Sequence, residues 1–101
     1  MNDKALLDEF TDIRNSPKGV ALRVRRITWP HPHTPRVRWQ TVATFPSDTS
    51  EADLAQARLA LLTNAKHFRV CTECGTRNPI GWMHDDAICQ GCAERNHGIV
   101  Y

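Results

Sequence analysis

Several features that would identify an enzyme or a membrane protein are scarce in this chain of 101 residues. No run approaches the roughly 18 consecutive apolar residues of a membrane-spanning helix, so we expect no contact with a membrane. The five glycines do not form a phosphate-binding loop. Residues 1–10 are charged and lack the apolar segment of a secretion signal. We therefore expect a cytoplasmic protein whose cysteines stay reduced.

Catalytic patterns are also missing. No serine or cysteine lies in a nucleophile motif, and Asp85 and Asp86 are adjacent, which places their carboxylates on different sides of an extended chain. We expect the histidines to lie in loops, on a solvent-facing strand position, or at a helix end, outside any metal site; they are His31, His33, His67, His84 and His97. The sequence therefore predicts a protein that is not an enzyme.

Acidic residues are absent from residues 14–46, which contain six arginines and one lysine, a charge of +7. The flanking segments are both net acidic, so the small net charge of +2 conceals a basic middle. Arginine suits bidentate contacts with phosphate and stacking on bases. The concentration of positive charge in residues 14–46 favours a polyanionic partner.

Cysteine occurs at only four positions, in two pairs that are separated by fourteen residues. Cys71 and Cys74 form the first C-x-x-C pair, and Cys89 and Cys92 form the second. Two disulfides are the alternative, but nothing directs the chain to an oxidising compartment. Four thiolates at this spacing close a tetrahedral shell with no open position, which predicts one structural zinc ion.

The upstream part of the chain is predicted to contain a helix, a hairpin and a second helix. Leu6 and Phe10 lie at helical spacing, which predicts an amphipathic helix over residues 2–13 that ends in a turn at 15–19. Apolar and basic residues alternate over 20–29 and again over 36–45, which predicts two antiparallel strands. The proline-rich residues between them, 29–35, predict an exposed loop that cannot continue the ladder.

Two details of this hairpin are predicted as well. The consecutive Arg25 and Arg26 interrupt the alternation, which indicates a bulge at that point. We expect Trp39 to fill the core, Trp82 to cover the metal lobe, and Trp29 to be exposed at the hairpin tip.

The second helix is predicted to run from a cap at Ser50 to about residue 65, with Asp53 completing a capping box. Its apolar stripe should cover the hairpin, while Arg58 should face solvent; the stripe consists of Leu54, Ala57, Leu61 and Leu62. The chain is thereby divided into an N-terminal helix (1–15), a hairpin with a helix (18–66) and a metal lobe (67–101).

Local signals in the lobe predict a strand over 66–70, a tight turn at Gly75, a hairpin around residues 84–86, and a helix from Cys92 to a glycine cap at Gly98. Residues 67–101 therefore resemble treble-clef zinc fingers, in which a knuckle, a hairpin and a helix follow in this order. A zinc ribbon is the structural alternative, and it requires a strand after the second knuckle. The resulting fold class is α+β: an antiparallel β-hairpin packed by a helix, with a C-terminal four-cysteine treble-clef zinc lobe.

A nucleic-acid interface is predicted on the outer side of the hairpin. Regular alternation would place four arginines there as one patch, namely Arg23, Arg25, Arg36 and Arg38. We therefore expect a non-enzymatic module that binds RNA or DNA, associated with transcription or translation. The alternative is an adaptor that binds another protein and in which the zinc finger is purely structural.

Overall fold

The computed structural model describes residues 2–31 and 33–99, which form an α+β fold. The helices are α1 (Asp3–Phe10), α2 (Glu51–Leu61) and α3 (Gln90–His97), with a single 3₁₀ turn at Ile80–Trp82. The strands are β1 (Thr11–Ser16), β2 (Gly19–His31), β3 (Thr34–Phe45), β4 (Phe68–Val70) and β5 (Arg77–Pro79). An antiparallel sheet has the order β1-β2-β3, and β4 pairs separately with β5. None of the helices in this described part has the length and apolar character needed to cross a membrane.

Helix α1 begins where the sequence predicts but ends earlier. Asn2 caps it by accepting a hydrogen bond from the Ala5 amide at 2.8 Å, and Leu6 and Phe10 are buried. The chain then turns directly into β1, which pairs with the first half of β2. The helical prediction for residues 11–13 is wrong because cross-strand pairing outweighs the weak local preference of this short segment.

The β2-β3 ladder continues into the predicted proline-rich loop, as far as the pair His31 and Thr34. The register shifts just before this pair, where Pro30 and Pro35 lie. Their missing N–H groups therefore fall at an interruption of the ladder, which is how a strand accommodates proline. Pro32, which belongs to the same prediction, lies outside the described residues.

A β-bulge lies on β3 rather than at the predicted arginine pair on β2. Leu22 pairs with Ala43, whereas the next residue, Arg23, pairs with Thr41. Val42 is thus an extra residue in β3. Because side chains alternate along a strand, the extra residue reverses the faces of the β3 residues that precede it, relative to a regular strand that runs to Ala43 and Phe45.

The bulge explains why the core prediction for Trp39 is wrong. Ala43 and Phe45 face the core as predicted, but Trp39 lies beyond the bulge and is 41% exposed. It pairs with Arg25 on the other face of the sheet. The buried core is formed by α1, the first half of β2, α2 with the residue after it, and β4; its members are Leu6, Phe10, Leu22, Val24, Leu61, Leu62 and Phe68.

Helix α2 covers this core through the predicted stripe. The Ser50 hydroxyl accepts a hydrogen bond from the Asp53 amide at 3.1 Å, which confirms the predicted N-cap. Leu54, Leu61 and Leu62 are buried, although the helix ends at Leu61 rather than near residue 65.

Arg58 of α2 is not solvated as predicted. Its Nε and Nη2 lie 3.0 and 2.9 Å from the Thr11 hydroxyl oxygen, and Nη2 also donates to the Leu7 carbonyl at 2.9 Å. These bonds tie α2 to the junction of α1 and β1.

Candidate functional site

The four cysteines predicted as ligands converge at one point. Their sulfur atoms all lie within 4.8 Å of one another. Cys71 Sγ is 3.6 Å from Cys92 Sγ, and Cys74 Sγ is 3.9 Å from Cys89 Sγ. These separations are far longer than the disulfide bond of about 2.05 Å, and all four thiols are free. The cluster is positioned to hold one metal ion.

The first cysteine pair lies in the turn between β4 and β5. Gly75 adopts a left-handed conformation with φ of 73°, and its amide donates to the Cys71 carbonyl at 2.9 Å. The Cys74 amide approaches Cys71 Sγ at 3.5 Å. The predicted tight knuckle is therefore present, and its backbone N–H groups point toward sulfur as in metal-thiolate sites.

The second pair begins α3. Cys89 is the N-cap, and its sulfur accepts a hydrogen bond from the Cys92 amide at 3.4 Å. The helix ends at Gly98, whose φ of 67° confirms the predicted glycine cap. A helix, not a strand, thus follows the second knuckle.

The segment between the two pairs differs from the predicted hairpin. Residues 77–82 form β5 and the 3₁₀ turn, and Met83 and Cys89 make a single isolated bridge. The expected turn around 84–86 is present, because the Asp85 carboxylate accepts hydrogen bonds from the amides of Ala87 (2.7 Å) and Ile88 (2.9 Å). Asp85 therefore has a structural role.

The electrostatics of the cluster favour a bound cation. Burial disfavours the Cys71 thiolate, but amide hydrogen bonds, beginning with that of Cys74, outweigh it and lower its pKa to about 6. Burial, with the neighbouring sulfur atoms, raises the pKa of Cys92 to about 12. Four thiolates cannot ionise this close together without a compensating positive charge. Arg95 supplies part of it, since its Nη2 donates to Cys92 Sγ at 3.4 Å.

Glu73 links the first knuckle to the end of α3. Its carboxylate accepts hydrogen bonds from Asn96 Nδ2 at 2.6 Å and from His97 Nε2 at 2.7 Å. The hydrogen bond from His97, then that from Asn96, lowers the pKa of Glu73. His97 therefore braces the lobe from outside the sulfur cluster.

The four arginines predicted as one patch are divided between the two faces of the hairpin. Directly paired residues share a face in an antiparallel sheet. Arg23 pairs with Thr41 and Arg25 with Trp39. Arg38 pairs instead with Arg26, and Arg36 with Thr28, so these belong to the opposite face. The bulge at Val42 is the cause.

Arg23 and Arg25 are engaged in contacts within the protein. Arg23 Nε donates to the Asp12 carboxylate at 2.7 Å, and its guanidinium lies 5.0 Å from the ring centroid of Trp39. The guanidinium of Arg25 lies 5.6 Å from the Phe10 ring centroid. Arg23 in particular is neutralised by a carboxylate.

The other face carries Arg26, Arg36 and Arg38, which we call the arginine triad. Arg26 Nε donates to Gln40 Oε1 at 2.8 Å, and its Nη1 donates to the Lys66 carbonyl at 3.0 Å. Across residues 2–31 and 33–99, Arg36 and Arg38 form no hydrogen bond or ion pair. Arg26 was missed as a site residue because its position opposite Arg38 depends on the bulge.

The metal lobe packs against the distal half of β2. The Trp29 indole N–H donates to the Gly81 carbonyl at 2.6 Å, so the prediction of an exposed Trp29 is wrong. A Cβ at Gly81 would collide with the Ile27 carbonyl, which shows how closely the 3₁₀ turn approaches β2. Trp82 stacks edge-on against Phe10, with ring centroids 5.1 Å apart, and also lines a groove beside Cys89.

His67, predicted on the solvent side, is only 9% exposed. Its burial, with the nearby charges of Arg26 and Lys66, lowers its pKa. Its carbonyl accepts a hydrogen bond from the Ile80 amide at 2.9 Å, so it joins the core to the metal lobe.

Comparison with protein-family models, with curated proteins and with solved structures finds no match to this chain. The function is therefore inferred from the geometry of the chain's own residues.

Proposed function

We propose that this protein binds nucleic acid through the arginine triad, and that a structural zinc ion in the four-cysteine lobe holds the hairpin in place. The observation that carries the proposal is the direct pairing of Arg26 with Arg38, beside a third arginine at position 36. Two of these three guanidinium groups have no partner within the described structure. The protein acts as a binding module and not as an enzyme.

The arrangement of the triad suits an anion. Like charges directly opposite each other destabilise an antiparallel pair unless something compensates them. No acidic residue occurs anywhere from position 14 to 46 that could do so locally. Guanidinium groups bind phosphate through paired, parallel hydrogen bonds, which makes a phosphate backbone the natural compensating charge.

An exposed aromatic residue on the edge strand that carries Arg36 and Arg38 favours nucleic acid over an acidic protein. Trp39 belongs to the opposite face of β3, but it borders a shallow cavity of about 520 Å³ at the sheet edge together with Arg26, Arg38, Gln40 and Thr41, so a strand that passes around this edge contacts both faces. Single-strand binders combine a basic track with aromatic rings on which bases stack. An acidic peptide would use the charges but would gain less from the indole.

Zinc fits the metal site. In a tetrahedral shell with zinc–sulfur bonds of about 2.3 Å, the sulfur atoms are about 3.8 Å apart. The two observed separations of 3.6 and 3.9 Å bracket this value. An all-thiolate tetrahedral donor set is typical of zinc, and with no open position the ion would be structural. The first knuckle in a strand turn and the second at a helix start support the treble-clef interpretation.

Salt-dependent binding of fluorescent RNA and DNA oligomers tests the proposal. The variant is Arg36→Gln with Arg38→Gln, and the matched control is Arg14→Gln with Lys18→Gln, which removes the same charge outside the triad. Each lost phosphate contact should reduce the slope of log affinity against log salt concentration by about 0.7–0.9. We expect this reduction in the triad variant only.

Equal weakening by both double variants would overturn the assignment to the triad, because it would reflect net charge alone. Absence of salt-sensitive binding in the wild type would overturn the nucleic-acid function itself. A protein partner that stays bound at high salt would then support the adaptor alternative.

A further inference from the structure

A groove of about 400 Å³ lies where the hairpin meets the metal lobe. Its lining includes Trp29 of β2, Trp82 of the 3₁₀ turn, Asn78 of β5, and Gln90 and Arg95 of α3. The volume lies within the range of small-molecule sites. The groove is separate from the arginine triad but borders the metal site, because Cys74 and Cys89 also line it.

Both indoles of the groove are held in place by other contacts. The Trp29 N–H is bonded to the Gly81 carbonyl at 2.6 Å, and Trp82 packs edge-on against Phe10 with an interplanar angle of 85°. A ring that is already ordered loses little side-chain entropy when a second ring stacks on it. The two tryptophans therefore form a prepared surface for a flat ligand.

The polar groups of the groove are also ordered. Gln90 Nε2 donates to the Gly81 carbonyl at 3.1 Å, and Asn78 Nδ2 donates to the Thr76 carbonyl at 2.9 Å. Each amide still has a carbonyl oxygen and a second N–H for a ligand. Amides with a fixed orientation suit the donor and acceptor pattern on the edge of a nucleobase.

The groove offers one guanidinium group to a ligand. Arg95 Nη2 donates to Cys92 Sγ at 3.4 Å, and its Nη1 lies near Gly91, which also lines the groove. A neutral ring that carries a phosphate would place the ring against the indoles and the phosphate near Arg95. This is the chemistry of a nucleotide.

We infer that this groove takes one unstacked base of a single-stranded nucleic acid, an inference that rests on the proposed function. Trp29 lies three residues after Arg26 on β2, and alternation places it on the opposite face, with Ile27 beside the metal lobe. A strand bound along the triad therefore has to pass around the edge of the hairpin, over about 10 Å, to place a neighbouring nucleotide in the groove. The triad supplies sequence-independent attraction, and the groove distinguishes a strand with bases from a strand without them.

The test compares a single-stranded oligothymidylate with an abasic oligomer of the same length, which has the same phosphates but no bases. The protein carries Trp39→Leu, which removes the exposed ring at the edge of β3, so that both the preference for bases and the quenching of tryptophan fluorescence report on Trp29 and Trp82 in the groove. We expect the oligomer with bases to bind about 5- to 150-fold more tightly, the range that corresponds to one stacked base. Quenching should accompany only that oligomer.

A matched pair of variants at Gly91 locates the effect. An ideal Cβ at Gly91 would lie 3.3 Å from Arg95 Nη1, the mobile end of a side chain, so both variants should fit. Gly91→Asp places a negative charge beside Arg95 and should abolish the preference for bases. Gly91→Asn has nearly the same shape without the charge and should keep it. One zinc per chain in both variants excludes loss of the metal site.

Equal affinity of the wild type for the two oligomers, with the salt dependence intact, would overturn the groove inference and leave the proposed function standing. Loss of binding to both oligomers in Gly91→Asp alone would also contradict it, because the triad should still bind phosphate. Failure of the wild type to bind either oligomer would overturn both proposals.

Discussion

The indole N–H of Trp29 donates a 2.6 Å hydrogen bond to the carbonyl of Gly81, fifty-two residues later in the chain. This bond joins the distal part of β2 to the metal lobe. The close approach of Gly81 to Ile27 lies next to it. The distal part of β2, which follows Arg26, is therefore fixed directly to the lobe.

Replacing Trp29 by phenylalanine should loosen this connection. The Gly81 carbonyl would lose one of its donors, and the change should lower the free energy of unfolding by about 1 kcal/mol. Urea denaturation measures it, with Trp39→Phe as the control because Trp39 is 41% exposed and outside the core. An equal loss in both variants would show that the hydrogen bond to Gly81 has no special role.

Metal removal should unfold the lobe. Structural zinc contributes directly to the free energy of folding, so a strong chelator should abolish the structure of residues 67–99. Elemental analysis should find one zinc per chain before treatment. Circular dichroism and amide exchange after treatment should show loss of α3, while β1 to β3 stay more protected. An unchanged thermal melt of the metal-free protein would contradict a structural metal.

Acid should remove the stabilisation that Asp12 provides. The hydrogen bond from Arg23 holds the pKa of Asp12 below its usual value. A carboxyl group whose pKa is lower in the folded state stabilises the fold above its unfolded pKa of about 3.9, and this stabilisation disappears as the pH falls through the folded pKa. Asp12→Asn should therefore be less stable than the wild type at neutral pH, and the difference should shrink in acid.

The control for this prediction is Asp48→Asn, at an exposed aspartate that forms no ion pair within the described structure. Unfolding free energies of all three proteins at a series of pH values give the comparison. A difference between Asp12→Asn and the wild type that stays constant into strong acid would show that the carboxylate charge is not responsible.

Features with short-range signals were predictable from the sequence. The spacing of Cys71, Cys74, Cys89 and Cys92 is sufficient to indicate a shared metal site, because each pair can chelate within one turn. The caps at Asn2, Ser50 and Gly98 depend on side chains or backbone freedom within a few residues. Such local interactions require no knowledge of the remaining fold.

The predictions from the sequence that are wrong concern features that depend on pairing between distant segments. The sequence of β1 does not by itself predict a strand. This strand forms because β2 offers an edge with which it can pair. The faces of Arg36, Arg38 and Trp39 depend on a single extra residue, Val42, which alternation within β3 does not identify. A one-residue difference in register exchanges the two faces, so a small local error rearranged the whole predicted interface.

Deletion of a single residue can test this account of the register. Without Val42, Leu22 can still pair with Ala43 and Arg23 with Thr41, so the ladder becomes regular and the arginine triad keeps its face. We expect Val42 deletion to lower stability, since this side chain packs partly against the core, but to change oligonucleotide affinity by less than about twofold.

Deletion of Val37 is the matched control. It removes a valine from a regular part of the same strand and should turn Arg36 away from Arg38, with a clear loss of affinity. Oligomer binding at fixed salt measures both, and strong weakening by the Val42 deletion in a folded protein would show that the bulge itself belongs to the interface.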